Sequence, residues 1–403
     1  MVFTIARKAK LKDDGILFCG NNAKDVTGSM IYIRFANKQI LLECGLLQDN
    51  SYLAAYKANS EKFKFKPDEL DYVFVGHSHI DHIGLLPRLI KEGFHGKIIM
   101  TYPSSVMSKY LLLNCSFIVN DEARVLSKRY NREYEPLYTE ENVYKTLDYI
   151  HVYNEYNHVY KLDDVVSFQW FKNSHCVGAA QLQLILNDGI KTKKILYTSD
   201  IGALNTKNHY VENTEIPVTF SDVSIMESTY GLNARTTNKT REFDVEHLRV
   251  AIETVLERQG SIILPAFSFS RSQELLTTLY LLFGENEDFK TDIVVDSMLT
   301  CDICQAYEDV LDSDFHELWT KVHNWKNVKY VREKVESKAW VNDSIPKIVI
   351  SSSGFCTNGR ILSYLDKYLR DVNSMICFSG FVETDDSYLS YRIKMAKPIK
   401  QSI

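Results

Sequence analysis

Three imidazoles and a carboxylate fall within six consecutive positions in Gly76-His77-Ser78-His79-Ile80-Asp81-His82. Imidazole nitrogens and carboxylate oxygens are the usual ligands of zinc and similar divalent cations. On an extended loop His77 and His79 can point the same way, while Asp81 and His82 face a second position, so one turn can serve two cations. A pair of cations suits metal-assisted hydrolysis, in which the ions acidify a water and neutralise charge on the group under attack. The other zinc-hydrolase signature, HExxH, is absent. Four further candidates each follow an apolar run: Glu43, His175, Asp200 and Glu227.

The elements that must hold these residues are legible in the hydrophobic pattern. Tyr72-Val73-Phe74-Val75 reads as a fully buried strand, and Ile83 to Ile90 has apolar residues at helical spacing. The histidine cluster therefore sits on a strand-to-helix turn, where open α/β sheets place their chemistry. Met30 to Phe35 and Ile40 to Gly45 read as a hairpin, with Glu43 near its end. A turn is expected at Gly20-Asn21-Asn22. Residues 104–148 read as mainly helical, with Thr139 opening a second helix. Strands are expected at Val165–Phe171, Leu182–Leu186, Lys194–Thr198 and Val223–Met226. Separate strands of one sheet can bring Glu43, the histidine turn, His175, Asp200 and Glu227 to one rim.

Beyond Gly231 strand and helix alternate: helix from Thr240 to Glu257, strand from Ser261 to Phe267, and a helix opened by Ser270-Arg271. Strands at Asp292–Asp296, Lys347–Ile350 and Ser374–Phe378 follow, with a helix from Cys301 to Leu311. This pattern suggests a small parallel α/β domain.

The 403 residues suffice for two or more domains, and 45% apolar with 25% charged residues is ordinary for a globular protein. A net charge of −5 gives no overall pull towards polyanions, although a local basic groove would not show in the sum. The eight cysteines are scattered and do not form a disulfide framework; Cys301 and Cys304 read as two reduced thiols on a helix. Arg7, Lys8, Lys10 and Lys12 are not followed by an apolar signal region. No apolar run approaches the ~20 residues of a membrane span. The expectation is a cytoplasmic protein with no membrane partner.

From about Gly20 onward the chain resembles the β-CASP branch of the metallo-β-lactamase superfamily. The resemblance is carried, in order, by Val26-Thr27-Gly28-Ser29, Glu43-Cys44-Gly45, the HxHxDH turn, Ser174 to Ala180, Ser199-Asp200-Ile201-Gly202 and Glu227 to Gly231. Pro265-Ala266-Phe267 with Ser270-Arg271, and Ser353-Gly354-Phe355 with Gly359-Arg360, extend it. It implies an α/β fold: a metallo-β-lactamase αββα sandwich with an inserted β-CASP α/β domain. Residues 1–230 would form the first part of the sandwich, 231–345 the insert, lying as a lid over the cleft, and 346–403 the return to the sandwich. The resemblance further implies two Zn2+, one on His77, His79 and His175 and one on Asp81 and His82, with Asp200 bridging. Asp81, Asp200, Glu227 and Glu43 would be the acidic groups of the reaction, and Arg271 a phosphate contact. Glu43 stands where the family usually has Asp.

The family continues to two more histidine motifs, whereas here no histidine follows His323. The expectation is therefore a C-terminally truncated chain with an incomplete second metal set. The implied activity is cleavage of phosphodiester bonds in single-stranded RNA, in a homodimer or a processing complex. A catalytically weak scaffold subunit and a small-molecule metallo-hydrolase remain alternatives at this point, because fold alone does not decide among them.

Overall fold

The computed structural model describes residues 4–6, 11, 13–20, 26–49, 51–204, 211–231, 240–380, 382 and 384–396. Asn21 and Asn22 of the expected turn, and Arg7, Lys8, Lys10 and Lys12, lie outside them. The chain divides into two compact units, Met1–Leu232 and Asn233–Ile403.

The first unit is built on two sheets. One runs in chain order: β1 (Thr4–Ala6), β2 (Gly15–Phe18), β3 (Ile31–Phe35), β4 (Lys38–Leu42), β5 (Tyr72–Phe74), β6 (Lys97–Met100) and β7 (Ile150–Val152). The β2–β3–β4 meander is antiparallel, and β4 to β7 are parallel. The other sheet holds β8 (Val159–Lys161), β9 (Val166–Lys172), β10 (Ala180–Asn187), β11 (Thr192–Tyr197) and β12 (Val223–Ile225). Alternation sets its inner face: Val166, Phe168 and Trp170 on β9 and Leu182, Leu184 and Leu186 on β10 are buried against Ile33, Phe35, Ile40, Leu42 and Phe74 of the first sheet. Phe74 and Phe168 meet edge-on across this core, ring centroids 5.2 Å apart.

Helices Leu86–Lys91, Tyr102–Tyr130 and Glu140–Asp148 pack on one another and on the first sheet, whose opposite face carries buried Leu17, Leu41, Val73, Ile98 and Met100. On the outer face of the second sheet Gln181 and Gln183 are buried. Their amides donate to the main chain at Glu215 and Phe220, so the extended stretch 214–221 lies over that face. The helix expected over 83–90 is two: Ile80–Ile83 and Leu86–Lys91. Pro87 has no N–H for a continuous helix and suits the first turn of a new one.

The second unit holds a parallel sheet of order β15-β14-β16-β13-β17, with β13 Ile262–Pro265, β14 Asp292–Asp296, β15 Val328–Val331, β16 Lys347–Ser351 and β17 Met375–Ile376. This differs from the expected return to the sandwich at residue 346. All five residues of β16 are buried, and the strand lies between β14 and β13, so it is a central strand of this unit. Helices Ser313–His323 and Lys334–Asn342 complete this unit; the first buries Trp319 and Val322 on one face. Cys301 and Cys304 are free thiols on helix Met298–Val310 and are buried. Among the described residues no helix is long and apolar enough to cross a membrane.

Candidate metal centre

Strands β4 and β5 are parallel and end together, Leu42 opposite Phe74. The chain after β4, with Ser29 from the chain before β3, then grips the turn after β5 through main-chain bonds: Cys44 N–H donates to His82 O (2.7 Å), Leu46 N–H to Ile80 O (3.0 Å) and Ser29 N–H to Asp81 O (2.9 Å). A side chain on Gly45 would place its Cβ 1.6 Å from the Asp81 carbonyl oxygen, so only glycine fits this approach. Ala180 N–H, at the start of β10, donates to Gly76 O (2.8 Å), which joins the second sheet to the same rim.

The ring nitrogens His77 Nε2 and His79 Nδ1 are 3.0 Å apart, and His175 Nε2 is 3.1 Å from His79 Nδ1. A tetrahedral zinc with Zn–N bonds of about 2.0–2.1 Å needs nitrogens about 3.3 Å apart, so this trio fits one such ion closely. Asp81, His82 and Asp200 form a second group, each offering a ligand atom within 4.8 Å of the others. Both ring nitrogens of His82 are buried and have no hydrogen-bond partner, with Nε2 lying 3.3 Å from Asp200 Oδ1 and 3.8 Å from Asp81 Oδ2. A buried imidazole left in that state fits a cation ligand. Asp200 spans the two groups: its Oδ1 faces His82, and its Oδ2 lies 3.7 Å from His175 Nε2 and 3.9 Å from His77 Nε2.

Protonation follows from this crowding. Burial, aided by the neighbouring imidazoles, drives His77 well down and His79 to about 3, so both present neutral lone pairs. Burial lifts Asp81 to about 6. Burial also opposes charge on Asp200, yet the His82, His175 and His79 imidazoles hold its carboxyl well below the usual range. Burial disfavours a charged His82, but Asp81, Asp200 and Glu43 around it outweigh that and raise it. The neutral His77 and His79 imidazoles beside the carboxylates of Asp81 and Asp200 suit a divalent cation, and the carboxylates that raise His82 would favour such a cation in place of its proton.

Glu43 is fully buried, with φ 58°, a left-handed backbone that is uncommon for a non-glycine residue. Its Oε1 accepts from Gly76 N–H (3.0 Å) and Ser199 Oγ–H (3.0 Å) and lies 3.5 Å from Nδ1 of His82. It therefore addresses the backs of the rings. Glu227 accepts from Ile201 N–H (3.3 Å) and Thr229 N–H (2.9 Å), tying the ends of β11 and β12 together beside Asp200. Arg271 lies in the second unit, where it pairs with Glu274, which also holds Arg241 at 2.9 Å.

Two residues of this network escaped sequence reasoning. Asn173 closes four hydrogen bonds: Nδ2 donates to Thr198 O (3.3 Å) and Asp200 O (2.7 Å), and Oδ1 accepts from His175 N–H (3.1 Å) and Gly202 N–H (3.0 Å). Ser199, with its Oγ 3.1 Å from His77 Nδ1, is the other. Ser199 stands in a stretch that carries the family resemblance and Asn173 adjoins another, but a polar residue in a loop gives no periodic cue to its role.

Residues 23–109 match the metallo-beta-lactamase superfamily and residues 272–386 match the Beta-Casp domain. The chain belongs to the β-CASP branch of the metallo-β-lactamase superfamily, a family of divalent-metal proteins whose ligand types recur in the clusters described above. It is similar to Ribonuclease TTHA0252 of Thermus thermophilus, 26% identical over 365 residues, covering 89% of this chain and 77% of that protein. It is also similar to Endoribonuclease YSH1 of Eremothecium gossypii (24% identical, 92% of this chain, 47% of that protein). A third relative is Cleavage and polyadenylation specificity factor 73 of Drosophila melanogaster (25% identical, 89% of this chain, 49% of that protein). The chain thus spans about half the length of the latter two relatives.

Proposed function

We propose that this chain is a zinc-dependent hydrolase that cleaves phosphodiester bonds of single-stranded RNA, in RNA processing or decay. The observation that carries the reading is the position of Asp200, one carboxylate oxygen towards the three-histidine group and the other towards His82. The names of the relatives, a ribonuclease, an endoribonuclease and a cleavage factor, support RNA as substrate.

His77, His79 and His175 would hold one Zn2+, Asp81 and His82 a second, and Asp200 both. The cation pair would supply an acidified water and Lewis-acid neutralisation of phosphoryl charge. Asp200 and Asp81 orient the attacking water through their carboxylate oxygens. Glu43 holds Gly76 and Ser199 and so aligns the rings rather than touching substrate. Glu227, on the loop next to Asp200, is the acidic group proposed to serve proton transfer. Arg271 would contact an RNA phosphate through the part of its guanidinium not committed to Glu274. A cytoplasmic location and action within a processing complex or homodimer belong to the same proposal.

The test is cleavage of an end-labelled single-stranded RNA by zinc-loaded protein beside Asp81→Asn and Asp200→Asn. Cleavage by the unsubstituted chain and none by either variant is expected. Equal cleavage by all three would sink the assignment.

A further inference from the structure

We propose that Ser199 is a positioning residue that fixes the tautomer of His77 and so aims His77 Nε2 at the three-histidine group. The inference rests on the metal-centre reading above.

Hydrogen counting carries it. A serine hydroxyl has one proton, and Glu43 Oε1 is the acceptor for both the Gly76 N–H and the Ser199 hydroxyl. Ser199 Oγ lies 3.0 Å from Glu43 Oε1 and 3.1 Å from His77 Nδ1. Its proton goes to Glu43, so its oxygen must receive the proton of His77 Nδ1. With Nδ1 protonated, the lone pair of His77 is on Nε2, the atom that faces His79 and Asp200. The relay from Glu43 through Ser199 to His77 is thus a carboxylate orienting a histidine with a hydroxyl interposed.

The backbone gives independent support. Ser199 has φ 51°, a left-handed conformation in which glycine meets least resistance. The residue is buried, and a side chain on Gly76 would sit 2.5 Å from both its Cβ and its Oγ. Gly76 therefore leaves open the space the hydroxyl fills. A side chain kept at a backbone position better suited to glycine, in a pocket cleared for it, is explained by what its oxygen bonds.

The test compares Ser199→Gly, Ser199→Ala and the unsubstituted protein for affinity of the first equivalent of Zn2+, by chelator competition, and for the visible spectrum with Co2+. Ser199→Ala removes only the hydroxyl, whereas Ser199→Gly removes the whole side chain and relieves the left-handed backbone, so it keeps the test open should Ser199→Ala fail to fold. The expected result is an affinity about 10–100-fold weaker for both variants, with an altered Co2+ spectrum and unchanged thermal stability of metal-free Ser199→Gly. Adding Glu43→Gln to Ser199→Gly should then cost less than the sum of the two single changes, because both act on one relay. Ser199→Gly binding Zn2+ within about twofold of the unsubstituted chain, with the same Co2+ spectrum, would overturn the proposal. Failure of the unsubstituted chain to bind either ion would instead overturn the metal-centre reading, and is seen before any variant is made.

Discussion

The side-chain amide of Asn173 donates to the main-chain carbonyl of Asp200 at 2.7 Å, and the same side chain accepts from the N–H of His175. One buried amide thus fixes the distance between a ligand of the histidine group and the residue that spans both groups. Asn173→Asp would place an acceptor against the carbonyls of Thr198 and Asp200. We expect a loss of roughly 2–4 kcal/mol in stability, read by urea unfolding. Zn2+ affinity should fall with it, while Asn173→Ala, which removes the repulsion but leaves the carbonyls unpaired, lies between.

Gly45 tests the support of the histidine turn. Its missing side chain lets the main chain after β4 run against the Asp81 carbonyl. A methyl cannot fit there without moving backbone, and overpacking of this kind costs about 1–3 kcal/mol or more. Gly45→Ala should lower the melting temperature and weaken metal binding together. A variant with normal metal content and normal stability would show that the turn is held some other way.

Metal counting separates the two ligand groups. Asp81→Asn removes a charge from the second group and should leave one tightly held Zn2+ per chain by elemental analysis. Asp200→Asn weakens both groups, so its metal content should fall further. RNA cleavage should drop about a thousandfold or more in each. Metal removal from the unsubstituted chain should lower stability by about 2.7 kcal/mol for each site that holds Zn2+ at a hundred times its Kd.

A pH-dependent term lies away from the metal groups, at Asp163. Burial would raise this carboxyl, but hydrogen bonds from Lys38 and Tyr72 and from the N–H groups of Val166 and Val165 hold it at about 2. An unfolded aspartate titrates near 3.9, so the folded state binds the proton less well. The resulting stability is fully present above about pH 4 and is lost as pH falls through about 2. Its size is about 2 kcal/mol, since the side chain is only 24% exposed. Asp163→Asn should be less stable than the unsubstituted chain at pH 7 by about that amount, and the gap should close by about pH 2. A gap independent of pH would exclude the linkage.

Much of this protein is written locally. The parallel strands β4 and β5, the sandwich strands β9 and β10 and the alternating strands and helices of the second unit follow from hydrophobic period and turn residues alone. The six ligand-type residues were legible because the HxHxDH turn is dense and because His175 and Asp200 each follow a readable strand. Tertiary structure decided the rest. Strand β16 carries no local mark of its sheet; its place between β14 and β13 comes from burying both faces of an apolar strand, which only the assembled sheet can do. Asn173 and Ser199 acquire roles because strands far apart in the chain end at one rim, where their few polar atoms complete each other's hydrogen bonds. Asp200 has one oxygen towards each ligand group for the same reason: its β-strand delivers it between two others, and no spacing along the chain encodes that.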